Sequence, residues 1–253
     1  MTAKIRLETR REATRSRKPM RPATGLIEDS VADRLIIDGI ARASLGSIAA
    51  FVRTCGNLGH ILSSTDVSPL PSTRGDVSIS DPIPFHSDGA SADVVAWFCI
   101  RQDEGRGESM LIDTIPLLQA LAPKHRTHLL SVEVYDYDGD RGERDSYCPL
   151  LRGNDETDWR VNYTPWILPE MSRDQEAAVA AFDDLLRAAE ATIFRLAPGE
   201  ALFVDNWRIL HGRGPLRSDS PRQLKRVWLR TSRTSRRDRI VPGHERLPSD
   251  DTL

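Results

Sequence analysis

Short apolar runs recur along this chain without regularly spaced helices between them. The strongest is "ADVVAWFCIR", residues 92–101, with Ser and Gly before it and "DEGRGE" after it. Its β-branched and aromatic content and its flanking breakers predict a buried strand. The same signals predict strands in "SMLIDT", "SVEVYDYD", "FRLAPGEALFVDN" (strand, Pro-Gly turn, strand) and "RQLKRVWLRTS". Spacings of three and four predict helices in "SVADRLIIDGIARA", "SLGSIAAFVRTCG" with Gly56 as its stop, and "IPLLQALAPKHRTHLL" with Pro116 in its first turn. "SRDQEAAVAAFDDLLRAAEATI" is the clearest helix, with Ser172 as N-cap. Residues 139–160 read as a polar loop. Strands without βαβ alternation favour a β-sandwich or jelly-roll core with helices outside.

At 253 residues the chain can bury a substantial core. Residues 1–24 form a basic stretch interrupted by Pro19 and Pro22, read as a disordered tail. Residues 25–234 read as one domain with a lid-like insertion at about 136–166. Residues 235–253 read as a C-terminal tail. The formal net charge is -2, so no global field draws the protein to nucleic acid or membrane. No apolar run reaches the length of a membrane span, and no secretory h-region opens the chain. Cys55, Cys99 and Cys148 are odd in number and have no CxxC spacing, which argues for a reducing cytoplasm. The expected partner is a small molecule, with a homo-oligomer possible.

Two stretches carry chemistry. "PFHSDGAS" places His86 and Asp88 two positions apart, and in extended backbone those side chains point the same way. "LFVDNWRILHGRGP" carries His211 near the end of an apolar strand. Two imidazoles and a carboxylate on one face of a metal leave positions open, an arrangement that suits non-haem Fe(II) oxygenases. Arg222 and Arg226 follow, four apart, on one face of a strand; a guanidinium there can grip a carboxylate bidentately. Each residue also has a bland role open to it: His211 as a turn cap, Asp88 as an Asx-turn residue, Arg222 as a surface charge. His60, His125, His128 and His244 read as bystanders, and Trp97, Trp207 and Trp228 as core.

"FHSDG", "GRGESMLIDT" and "VDNWRILHGRGPLRSDSPRQLKRVWL", supported by "FVRTCGNLGHI", resemble the taurine dioxygenase / clavaminate synthase-like 2-oxoglutarate-dependent Fe(II) oxygenases. The resemblance covers about residues 46–232 and is poorest at 136–166. It implies a mainly β double-stranded β-helix (jelly roll, cupin-like) with flanking helices. It implies Fe(II) held by His86, Asp88 and His211, with 2-oxoglutarate as co-substrate and O2 as oxidant. Arg222 would grip the C5 carboxylate of 2-oxoglutarate, assisted by Ser109. Arg226 would hold a substrate anion or brace Arg222; Asn162 and Ser87 are further substrate-side candidates. The implied activity is hydroxylation of an unactivated C–H bond in an amino acid or amino-acid-derived metabolite, releasing succinate and CO2. Desaturation, cyclisation and epoxidation are alternatives, and so is a retired fold used for binding. The chain departs from the family in lacking an obvious opening strand.

Overall fold

The structure, a computed structural model, describes residues 24–69, 81–136, 146–155 and 158–231. The chain opens with α1 (Thr24–Asp38), β1 (Ile40–Ser44), α2 (Ile48–Leu58) and β2 (His60–Val67). Next come β3 (Ile83–His86), β4 (Val94–Arg101), β5 (Ser109–Asp113), α3 (Thr114–Ala120) and α4 (Pro123–Leu129). The short strands β6 (Glu133–Asp136), β7 (Ser146–Pro149), β8 (Leu151–Arg152) and β9 (Arg160–Val161) follow. A 3-10 turn at Pro165–Ile167 leads to α5 (Arg173–Ala188), then β10 (Thr192–Phe194), β11 (Glu200–Asp205), β12 (Ile209–Arg213) and β13 (Gln223–Arg230).

Two antiparallel sheets form the core. One has the order β1-β11-β4-β13-β2 and the other β10-β5-β12-β3. This is the mainly β jelly-roll arrangement that the sequence predicts. The run in β4 is apolar throughout because both of its faces are buried. Val94, Ala96 and Phe98 face α1 and α2, packing with Leu35, Phe51 and Phe203. Val95 and Cys99 face inward, packing with Leu111, Leu202, Ile209 and Leu224 from both sheets. Phe51 is fully buried between Phe98 and Phe203, with ring centroids 5.5 and 6.0 Å away. A third cluster joins α3, α5 and the β6–β9 segment to Ile112 and Leu210 on the outer face of the smaller sheet.

Several local expectations are corrected. "IARA" is not the end of a helix: it is β1, paired along its length with β11. Gly39 ends α1 at φ 72°, a left-handed turn that a side chain disfavours, and the chain reverses into the sheet there. An opening strand before the site is therefore present. Gly56 lies inside α2, and Gly59 caps it instead, because a Cβ at 59 would overlap Arg230 O. The helix predicted over 115–130 is two helices. Pro123 opens α4 at its first position and holds Ala122 extended at ψ 140°. β2, an edge strand with a polar middle, was not predicted.

The polar loop contains structure too. Cys148, Leu150, Leu151, Val161 and Tyr163 are all buried. Leu150 N–H donates to Val132 O and Val161 N–H to Trp207 O, which ties this part of the insertion to the core. α5 follows the predicted course from its capping box between Ser172 and Gln175 to Ala188, but Thr192 and Ile193, read as its end, belong to β10. The basic stretch up to Ala23 and the segment 235–253 lie outside the described residues. Among the described residues, no helix is long and apolar enough to cross a membrane.

Candidate active site

His86 ends β3 and His211 stands in β12, and the two are direct register partners across the ladder. Their ring centroids are 4.4 Å apart. Asp88 lies two residues past His86, on the same side of the extended chain. Its Oδ1 is 3.8 Å from His86 Nε2 and 3.7 Å from His211 Nε2. One donor atom from each residue falls within 4.8 Å of the others.

The donor set fits a cation. His86 Nδ1 lies 2.8 Å from Pro84 O, and a carbonyl can only accept, so Nδ1 carries the hydrogen. His86 Nε2 then turns a lone pair toward a carboxylate, with no proton between two acceptors. Burial, followed by the neighbouring His211 imidazole, pushes the His86 pKa down to about 4, so the ring is neutral at pH 7. Burial alone would raise the Asp88 carboxyl, but His211, Arg226 and His86 together hold it below the usual carboxylate range. A neutral His86 and an ionised Asp88 are in the protonation states that metal ligation needs. His211 Nδ1 is buried without a partner among the described residues.

The opposite sheet supports Asp88. Trp228 Nε1–H donates to its Oδ2 at 2.8 Å, and Arg226 Nη1 lies 3.3 Å from both carboxylate oxygens. Arg226 therefore braces a candidate metal ligand rather than Arg222. Trp228 is more than core filling. Trp97 packs edge-on against His211 at 4.8 Å, and Trp166, half exposed, approaches His86 at 5.0 Å.

A cavity of about 110 Å³ runs from the two histidines to Arg222. Trp97, Leu111, Leu224 and Val67 form its apolar walls, and Ser109, Arg213 and Arg226 also line it. Arg222 is 7% exposed. Burial and the nearby Arg213 push its pKa down to about 10, and its Nε has no hydrogen-bond partner among the described residues. A buried cation so weakly compensated calls for an anion. Gly107, at φ 75°, makes room for it: a Cβ there would lie 3.2 Å from Arg222 Cδ and closer still to Leu216 Cδ2. Ser109 is the β5 partner of Arg213 in β12.

The structure turns Ser87 and Asn162 away from this cavity. Ser87 Oγ donates to Asn162 Oδ1 and accepts from Tyr163 N–H, and both side chains are buried. Their alternation explains it: Ser87 sits between His86 and Asp88 and must point the other way. The bystander histidines His125 and His128 lie on α4, away from the cavity lining.

Sequence reasoning missed Asn206 and its neighbours. Asp205 Oδ1 accepts from Trp207 N–H, forming an Asx-type turn between β11 and β12. Asn206 hydrogen-bonds the backbone around Asp88, Trp207 Nε1–H reaches Asp93, and Arg208 grips Asp113 with two nitrogens. The available signal was a run of polar residues ending an apolar strand, "VDNWR".

A match to solved structures agrees with this fold. The asparagine oxygenase complex with Fe(II), 2S,3S-3-hydroxyasparagine and succinate superposes with a TM-score of 0.66 at 22% identity, covering 83% of this chain and 80% of that one. Non-heme iron oxygenase OrfP with Fe and alpha-ketoglutaric acid gives 0.63 at 19% identity, covering 83% and 81%. In sequence, the 3-((Z)-2-isocyanoethenyl)-1H-indole synthase of Fischerella ambigua (strain UTEX 1903) is 27% identical over 171 residues. That match takes in 58% of this chain and spans 63% of the relative's length. Residues 57–228, which include every residue of the His86–Asp88–His211 cluster and Arg222, match the taurine catabolism dioxygenase TauD, TfdA family, and the chain belongs to that family.

Proposed function

We propose that this protein is an Fe(II)- and 2-oxoglutarate-dependent dioxygenase that hydroxylates an unactivated C–H bond of an amino acid or amino-acid-derived metabolite. One observation carries the reading: one cavity is lined at one end by the two histidines of a three-donor cluster with Asp88, and at the other by a buried arginine whose Nε has no partner among the described residues. Family membership supports it, as do an asparagine oxygenase and OrfP among the structural relatives.

His86, Asp88 and His211 would hold the iron. Bound iron supplies activation of dioxygen, coupled to oxidative decarboxylation of 2-oxoglutarate to succinate and CO2. The chain's own residues do the rest. Arg222 neutralises the distal carboxylate of 2-oxoglutarate, and Ser109 donates a hydroxyl beside it. Trp97, Leu111 and Leu224 exclude water from the cavity. Trp228 and Arg226 hold the Asp88 carboxylate in one orientation, so that its charge stays on the metal. Trp166 stands half exposed beside His86, where an incoming substrate passes.

The cavity's apolar walls and its arginines suit a small molecule that carries a carboxylate, as an amino acid does. Three buried cysteines, none in a disulfide among the described residues, support a cytoplasmic site of action. The test is a mass-spectrometric screen of amino acids and their derivatives with Fe(II), 2-oxoglutarate and O2. Products heavier by one oxygen are expected; products lighter by two hydrogens would make it a desaturase. Succinate release without any modified product across a broad amino-acid set would move the substrate to another class.

A further inference from the structure

We infer that Asn206 is the positioning residue that fixes Asp88 in the donor set, and that it governs metal affinity without contacting the metal. The inference rests on the iron-site reading above. His86 and His211 are held by the β3–β12 ladder. Asp88 lies beyond the end of β3, where no ladder reaches it.

Asn206 does that work from the tip between β11 and β12. It is 1% exposed, and its whole amide is spent on the turn that bears Asp88. Its Oδ1 accepts from Asp88 N–H at 2.9 Å. Its Nδ2 donates toward Asp88 O at 3.3 Å, Gly89 O at 3.2 Å and Ala92 O at 3.0 Å. Its own N–H donates to Asp93 O at 3.0 Å. A side-chain amide can accept from one residue's N–H while donating to the carbonyls that follow it in the turn. An aspartate would keep the acceptor and lose the donors.

The backbone of Asp88 is thus set from one side by Asn206, and its carboxylate from the other by Trp228 and Arg226. Asn206 sits in the turn that carries the chain from β11 in one sheet to β12, the strand of His211, in the other, so one connection carries one ligand and aims another. A residue that merely held the fold together would, on removal, weaken stability and every ligand alike. A positioning residue loses metal selectively.

The probe is Co(II) alone, redox-inert and visible by its d–d absorption, titrated into full-length wild type, Asn206→Ala, Asn206→Asp and Val179→Ala. Val179 is buried on α5 and does not line the cavity, so its variant controls for simple destabilisation. Wild type should take up one Co(II). Both Asn206 variants should bind it about 10- to 100-fold more weakly, while Val179→Ala keeps wild-type affinity. A folded Asn206 variant with affinity within about twofold of wild type overturns the inference. Should neither variant fold, residue-resolved amide exchange on wild type decides. The Asp88 N–H must be protected, and exchange at the rate of an open loop overturns the inference. Wild type that binds no Co(II) would instead overturn the iron-site reading itself, and the inference with it.

Discussion

His86 and His211 come from distant parts of the chain and meet as register partners in one antiparallel ladder, ring against ring at 4.4 Å. Ladder hydrogen bonds therefore set the spacing of the two imidazoles. A one-residue slip of β3 against β12 would send one of them to the other face of the sheet. Gly212 permits the close approach of these strands, because a Cβ there would lie 2.8 Å from Ile83 O.

Removing either imidazole should abolish stoichiometric metal binding. His86→Ala and His211→Ala should each fail to retain iron on anaerobic desalting. His125→Ala and His128→Ala should retain it, since both lie on α4 away from the cavity. Elemental analysis after desalting is the check.

Arg222→Ala should weaken 2-oxoglutarate far more than it weakens metal. A hydrogen bond to a charged group contributes about 1.5–3 kcal/mol, which is roughly 10- to 100-fold in affinity. Ser109→Ala removes one neutral donor and should cost about 1 kcal/mol. Arg226→Ala should show the opposite pattern, because Arg226 contacts the Asp88 carboxylate. Paired titrations of Co(II) and of 2-oxoglutarate separate the three variants.

Gly107→Ala should act like a milder Arg222 variant. Its backbone is left-handed, and the added methyl would press on Leu216 and on the Arg222 stem. The expected result is an increase in the 2-oxoglutarate dissociation constant with metal affinity unchanged, read by the same titrations.

Much of the site was legible because its chemistry is local in sequence. His-X-Asp needs only extended backbone to place two donors together, and the tail of "VDNWRILHGRGP" names the third. Helix α5 was legible from its cap and its periodicity. The failures share a physical cause. "IARA" has helical spacing, yet its pairing with β11 outweighs that local preference. β2 is polar through its middle, from Ser63 to Asp66, and is defined by its ladder with β13 more than by its own composition. Ser87 and Asn162 are polar residues near the motifs, and their hydrogen bonds to each other show only in three dimensions. Asn206 escaped notice because it contacts backbone, which no side-chain motif records.

Stability should carry a pH signature from Asp205. Burial raises its pKa from the ordinary carboxylate value of 3.8 to about 6, against the lowering effects of Trp207 N–H and Arg208. Between those values the folded state keeps a proton that the unfolded chain has released. Stability from this group is therefore full below about pH 4 and is lost as pH rises to about 6. Asp205→Asn keeps the oxygen that accepts from Trp207 and removes the charge. It should raise Tm at pH 7.5 by about 2–4 °C, corresponding to roughly 1 kcal/mol. At pH 4 it should change Tm little. Thermal melts at the two pH values give the sign.

The most direct test of the account is anaerobic addition of Fe(II) and then 2-oxoglutarate to the purified full-length protein, followed by visible absorption. The account predicts a weak charge-transfer band from the chelated co-substrate, saturating at one equivalent of each and absent in His211→Ala. Protein that takes up Fe(II) and 2-oxoglutarate without developing that band, or that develops it equally in His211→Ala, would contradict the placement of iron and co-substrate in the cavity between His211 and Arg222.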